Sequence, residues 1–377
     1  MKDNPFIIKG YKSADLFCDR EKETEKILNL IQNSVDITLI SPRKFGKSGL
    51  IRHVFNQISQ RNLDYKTIYV DIFSTLNLNE FIKSLSEAIL EQFPEKTAIG
   101  KKFFRLLNSF RPLFSVDPLS GNLQLSFQFS STSEQETSLK QILQFVNNQD
   151  SKVVLAIDEF QQIVYYPEKN VEALLREQVQ NMHNTRFIFC GSKSSMMREI
   201  FADAKRPFFS STRQIEIGKI GSDPYAKFIL DKFTSAGRAI DEESVAFILM
   251  WTKRHTYYTQ VLCNELFATG KKNISIKDVH KVCDEVLEEN ESTYMQYRAL
   301  LTQQQWRFLI GLAKEDEVFQ VYSSGFVSKY KIGNSTTSAR AAESLVDKEL
   351  VLKTIYKDKI SYQVYDPFFS RWLAREY

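Results

Sequence analysis

The chain holds no run near the roughly 18 consecutive apolar residues that a membrane-spanning helix needs. Its first eleven residues contain only the short patch Phe6-Ile7-Ile8, well below the apolar core of a secretory signal. A chain with neither feature is expected to be cytoplasmic and to have no membrane partner. Cysteine is scarce and scattered: Cys18, Cys190, Cys263 and Cys283 form no C-x-x-C pair and have no histidines at zinc spacing. That argues against a disulfide framework and fits a reduced setting. Charge of one sign is lacking too, since 50 Lys+Arg stand against 46 Asp+Glu for a net +4. Such a balance neither announces a nucleic-acid partner nor excludes one. There is no internal repeat and no low-complexity tract.

With 377 residues, 43% of them hydrophobic and 25% charged, the chain reads as globular and long enough for two or three domains. A further absence lies inside its most informative stretch. Asp36-Ile37-Thr38-Leu39-Ile40 is a short β-branched run, and Gly49 to Gln60 has helical spacing. Between them runs Ser41-Pro42-Arg43-Lys44-Phe45-Gly46-Lys47-Ser48, which fits the phosphate-loop pattern G-x-x-x-x-G-K-[ST] except that Ser41 stands for the first glycine. The start of a helix aims free N–H groups and a positive dipole end at an anion. Arg43, Lys44, Phe45, Gly46, Lys47, Ser48 and Gly49 are therefore the candidate nucleotide cradle, with Lys47 reaching the terminal phosphates and Ser48 holding Mg²⁺.

A second element supports the first. Val153 to Glu159 is an apolar strand ending in two carboxylates. Ligands collect at the carboxyl ends of parallel strands, so Asp158 is the candidate for the Mg²⁺ shell and Glu159 for orienting or deprotonating the attacking water. Arg186 to Ser192 is a strand ending in a hydroxyl, which makes Ser192 a candidate sensor of the γ-phosphate. Arg20, in Phe17-Cys18-Asp19-Arg20-Glu21, is a candidate to close over base or ribose, a solvated surface arginine being the equal alternative.

Strands are expected at Tyr65 to Phe73 and Gln214 to Ile217 as well. Five strands alternating with helices predict a P-loop α/β domain over residues 1–220, with a parallel five-stranded core sheet and helices on both faces. Alternation at Leu123, Leu125, Phe127 and Phe129 predicts a hairpin insertion over about 113–129, turning at Asp117 to Asn122. Ser130 to Thr137 reads as a polar, mobile link to a helix over Ser138 to Asn148. From Ser222 strand signals disappear, and four amphipathic segments, the last Ser275 to Glu289, predict a helical lid domain over 221–295. Three helices and two strands around Lys357-Asp358-Lys359 predict a winged helix-turn-helix domain over 296–377.

These landmarks together resemble the prokaryotic, archaeal-type AAA+-like ATPases of the STAND group. Matching residues are Phe17 to Glu21, Pro42 to Ser48, Ile157-Asp158-Glu159-Phe160, Cys190-Gly191-Ser192, Arg206-Pro207-Phe208-Phe209 and Asp366-Pro367-Phe368-Phe369. The resemblance implies ATP and Mg²⁺ as cofactors, the Ser192 strand lying between the phosphate-loop and Asp158 strands, and hydrolysis tied to switching or assembly. It also implies that His255 approaches the nucleotide, although the family's Gly-His-Pro is here Arg254-His255-Thr256 and a helix-capping role is as compatible. The family's arginine after the aromatic pair is replaced by Ser210-Ser211, which leaves Arg206 and Arg213 as candidate fingers.

The reading is a slow Mg²⁺-dependent ATPase that binds ATP and ADP and acts as a switch or assembly factor. Its winged helix would serve protein docking or self-association, because residues 301–377 carry only 11 Lys/Arg against 9 Asp/Glu. The rivals are a DNA-associated ATPase gripping duplex with that domain, and a nucleotide-binding scaffold that does not hydrolyse.

Overall fold

The computed structural model describes residues 3–116, 123–356 and 359–377. The predicted turn at Asp117 to Asn122 and the wing residues Lys357 and Asp358 lie outside them. The chain divides into two compact units, Gly10–Gly218 and a second made of Lys219–Tyr377 with the segment before Gly10.

In the first unit, helix α1 (Glu21–Gln32) leads into strand β1 (Ile37–Ile40), which runs through the phosphate loop into α2 (Lys47–Gln60). Strand β2 (Tyr65–Asp71) precedes α3 (Leu78–Gln92) and α4 (Ala98–Asn108). The hairpin β3 (Pro112–Val116) and β4 (Leu123–Phe127) forms a sheet of its own, as expected of an insertion. Helix α5 (Thr132–Asn147), strand β5 (Lys152–Asp158), α6 (Val171–Asn181), β6 (Thr185–Gly191), α7 (Ser194–Ala202) and β7 (Arg213–Glu216) complete it.

All five core strands run parallel in the order β2-β5-β6-β1-β7, which places the Ser192 strand between the other two site strands as the resemblance implied. Period-two alternation divides the core. Val154, Ala156, Ile188 and Cys190 face α1 and α2 through Ile27, Leu50, Ile51 and Val54. Val153, Leu155, Ile157, Phe187 and Phe189 face α3, α5, α6 and α7. Both faces are buried, which is why these strands read as continuous apolar runs.

The expectation of a mobile link before α5 is corrected: the helix starts at Thr132. Ser131 Oγ accepts the Glu134 N–H at 3.2 Å, and Glu134 Oε2 accepts the Ser130 N–H at 2.7 Å. Two free amide groups are thereby satisfied at the start of an otherwise polar first turn.

The second unit holds α8 (Ser222–Ser235), α9 (Glu242–Trp251), α10 (Thr256–Ala268) and α11 (Ile276–Leu300). Strand signals do not vanish entirely, since β8 (Ala239–Ile240) and β9 (Asn273–Ile274) form a short parallel pair. Phe6 is buried among Phe228, Phe233 and Phe267, and Asn264 Nδ2 donates to the Phe6 carbonyl at 2.6 Å. The first residues thus belong to the core of this unit and not to the phosphate-loop domain. Helix α11 runs unbroken through the expected division at 295/296. Its Tyr294 is buried against Phe369 and Trp372, which holds the last turns helical where periodicity alone had faded.

The winged-helix elements follow as read: α12 (Gln303–Glu315), α13 (Ser324–Lys329), α14 (Ser335–Asp347), and the antiparallel β10 (Val351–Tyr356) and β11 (Lys359–Val364). Helix α15 (Pro367–Glu376) adds to them; Asp366 caps it, accepting N–H groups from Phe368 and Phe369, and Pro367 stands in its first turn.

Candidate nucleotide site

The loop between β1 and α2 needs one residue at positive φ where the helix begins, and Gly46 supplies it at φ 91°. Lys44 also adopts positive φ, at 60°. Ser41 does not, so the missing glycine is tolerated: its backbone stays in ordinary territory, its side chain is buried, and its N–H reaches the Gly191 carbonyl at 3.4 Å. Phe45 is buried beneath the loop, while Arg43 and Lys44 are exposed above it, with Arg43 5.2 Å from the Phe73 ring centre. Gly49 lets the Phe17 ring close on α2, since a Cβ there would lie 3.3 Å from it.

The side chains at the carboxyl ends of β1, β5 and β6 meet. Lys47 Nζ lies 2.9 Å from Asp158 Oδ1 and 3.0 Å from Glu159 Oε1. Ser48 Oγ donates to Asp158 Oδ2 at 2.6 Å, and Ser192 Oγ to Glu159 Oε2 at 2.8 Å. Burial pushes the Lys47 ammonium pKa down, but Asp158 and Glu159 outweigh it and hold it above the usual lysine value. Burial likewise pushes both carboxyls up, and the Lys47 charge with their hydrogen bonds reverses this, leaving each below its usual value. The group is an ionised triad in which one cation serves two anions.

Two participants were not read from the sequence. Tyr69 on β2 donates its hydroxyl to Asp158 Oδ2 at 2.6 Å, and the buried Gln161 donates to Glu159 Oε2. A polar side chain three residues beyond the strand end was a signal for Gln161; Tyr69 looked like any aromatic on a half-buried strand. Gly191 makes room for Gln161, whose Oε1 would stand 2.2 Å from a Cβ at that position.

Other candidates fall elsewhere. Arg20 is buried, bonding Glu23 at 2.8 Å and the Gly218 carbonyl at 2.6 Å; its guanidinium is committed to holding two chain segments together and is not poised over a base. Arg206 pairs with Glu172 at 2.8 Å and Glu199 at 3.6 Å. Arg213 begins β7 level with Ile37, at the end of the sheet opposite the phosphate loop. Neither arginine enters this chain's own triad. His255 lies in the second unit, buried against Tyr258 and Tyr365 just before α10.

A phosphate loop, an acidic strand end and a hydroxyl on the strand between them define a P-loop ATPase core. The family described as an ATPase domain predominantly from Archaea matches residues 17–258. The chain belongs to this family. A probable winged helix domain matches residues 292–375. Among solved structures, a Walker-type ATPase of Pyrococcus abyssi is 16% identical with a TM-score of 0.67, over 98% of this chain and 99% of that one. The Aeropyrum pernix ORC2 protein, solved in ADPNP-ADP complexes, is 15% identical with a TM-score of 0.58, over 99% and 96%. The ORC1 protein of the same organism, solved in complex with DNA, is 12% identical with a TM-score of 0.51, over 96% and 94%. No curated protein matches the sequence. This archaeal-type ATPase therefore shares the fold of these ORC proteins, and among its described residues no helix is long and apolar enough to cross a membrane.

Proposed function

We propose that this chain is a slow, Mg²⁺-dependent ATPase used as a nucleotide-controlled switch, with its winged helix as a protein-docking module. The observation that carries the reading is the state of Glu159. Lys47 occupies one of its oxygens, while Ser192 and Gln161 share the other. Nucleotide would draw Lys47 away and free one oxygen for water, while Ser192 and Gln161 still hold the other and weaken the carboxylate as a base, so the arrangement favours slow turnover.

The donor set suits a Mg²⁺-nucleotide. Ser48 and Asp158 offer hard oxygens side by side. Among the described residues no group of three or more His, Cys, Asp or Glu forms a metal cage. Mg²⁺ is commonly held by one or two protein oxygens together with water and phosphate oxygens. When bound, the ion would neutralise charge on the phosphates; Lys47 would follow the phosphates, and Glu159 would be left facing the water.

For the winged helix, α14 carries Arg340 against Glu343 and Asp347, with Lys348 and Glu349 just beyond it. Lys329 is paired with Glu315. Phe319, Tyr322, Ile355 and Ile360 are exposed, the two isoleucines being cross-strand partners in the wing. Apolar side chains on a wing suit a protein surface better than a phosphate backbone. The rival reading, duplex binding, draws on exposed Lys331, Lys353 and Lys359 and on the DNA complex of the ORC1 neighbour.

The test is ATP binding and turnover by the full chain with Mg²⁺, alongside binding to a random duplex at low and moderate salt. Tight ATP binding with slow turnover and no duplex binding is expected. No ATP binding would sink the switch; micromolar duplex affinity that falls steeply with salt would replace docking by DNA binding.

A further inference from the structure

Asp158 is buried at the carboxyl end of β5. Its Oδ2 accepts from Ser48 at 2.6 Å and from Tyr69 at 2.6 Å. Its Oδ1 accepts from the Glu159 N–H at 2.9 Å and faces Lys47 at the same distance. A carboxylate has about four acceptor positions, so all are filled. Two of the four partners, Lys47 and Ser48, belong to the phosphate loop and turn to the nucleotide and its metal in the function proposed above. A buried carboxylate that gives up partners is less firmly held in one orientation.

Tyr69 stands apart from that exchange. It comes from β2, next to β5 in the sheet, and its hydroxyl is not part of the phosphate loop. Its ring packs on the α2 face of the core, and Arg52, one turn after Ser48 on α2, places its guanidinium 4.0 Å from the ring centre. The ring is thus held between the core and a guanidinium, with its hydroxyl on Asp158 Oδ2.

We propose that Tyr69 is the positioning residue for Asp158, holding the carboxylate in its metal-facing orientation when Ser48 and Lys47 leave it. It belongs neither to the phosphate loop nor to the pair Ser48 and Asp158 assigned to the metal. The proposal rests on the assignment of Asp158 to the Mg²⁺ shell. Its consequence is specific: Tyr69 contributes to the extra affinity that Mg²⁺ gives ATP and not to ATP affinity without metal.

The experiment is calorimetric titration of the full chain with ATP, in excess Mg²⁺ and in EDTA, for wild type, Tyr69→Phe, Asp158→Asn and the double variant. Tyr69→Phe keeps the packed ring and deletes one oxygen. It should reduce the Mg²⁺-dependent gain in ATP affinity about tenfold or more, the scale of a hydrogen bond to a charged group, and leave affinity in EDTA unchanged. In the Asp158→Asn background it should do nothing further. If Asp158→Asn removes the gain and Tyr69→Phe keeps it, the role of Tyr69 is wrong. Equal losses with and without Mg²⁺ would reduce Tyr69 to a packing residue and also overturn it. If Asp158→Asn itself keeps the gain, the metal assignment fails first and takes this proposal with it.

Discussion

In the function proposed above, Lys47 meets charge in both the resting triad and a bound phosphate, whereas the part of Glu159 is to act on the water. Lys47→Ala is therefore expected to abolish or greatly weaken ATP binding. Glu159→Gln should keep binding and lose turnover by about 10²-fold or more; equal ATPase rates for Glu159→Gln and wild type would remove Glu159 from catalysis. The same triad makes a pH prediction for the nucleotide-free protein. Asp158 and Glu159 have lowered pKa values, so their contribution to stability is present above the ordinary carboxylate range and lost as pH falls through the folded values. Lys47 has a raised pKa, so its share is present below the ordinary lysine value and lost only as pH rises through the folded one. Between about pH 4.5 and 10 the pairing is complete. Lys47→Met leaves two buried carboxylates without their cation and should cost about 3 kcal/mol or more at pH 7. Denaturant titrations without nucleotide should show that penalty shrinking as pH falls below 4.

At the scale of elements, the end of β6 leaves no room for a larger residue. A methyl group at Gly191 would stand 2.2 Å from Gln161 Oε1 and 2.4 Å from Met197 Sδ. Gly191→Ala should push Gln161 off Glu159, destabilise the protein by about 1–3 kcal/mol and alter turnover, whereas an unchanged melting temperature would show that the strand end yields freely. Ser131→Ala should cost about 1 kcal/mol through the α5 cap alone, with ATPase rate untouched. These two positions also mark what the sequence made legible. Gly191-Ser192 was read because a β-branched and aromatic run ending in a hydroxyl has few uses. The cap at Ser131 was a readable S-x-x-E signature obscured by the polar tract around it. Tyr69, by contrast, gains its role from a partner on a neighbouring strand, and no periodicity reports that. Arg20 was misplaced for the same reason: its acceptor, the Gly218 carbonyl, lies 198 residues away. The strand order followed from the resemblance, while the true extent of α11 depended on Tyr294 meeting a helix near the chain's end.

For the whole molecule, neither candidate finger reaches its own chain's triad, so for either to act there it must come from a second copy or after a rearrangement. Arg206, held by Glu172 and Glu199, is the better placed of the two; Arg213 sits at the far end of the sheet. Specific ATPase activity should rise with protein concentration, and Arg206→Ala should flatten that rise while Arg213→Ala leaves it. A wild-type rate independent of concentration would exclude donation between copies.

The burial of Phe6 has a consequence in time. A ribosome adds roughly 5–20 residues per second, and the residue whose side chain grips the Phe6 carbonyl, Asn264, is made 258 residues later. For something over ten seconds at that pace Phe6 has no pocket to enter. Residues 10–218 meanwhile have everything they need to close around their own sheet. Folding should thus start with residues 10–218, the Phe6 segment docking only once its partners in the second unit have been made. Chains stalled with residue 218 clear of the exit tunnel should hold a protease-resistant core whose leading segment is still cleaved, and protection of that segment should arrive only after α10 has emerged. Protection at the earlier stall would show that Phe6 finds a different shelter first.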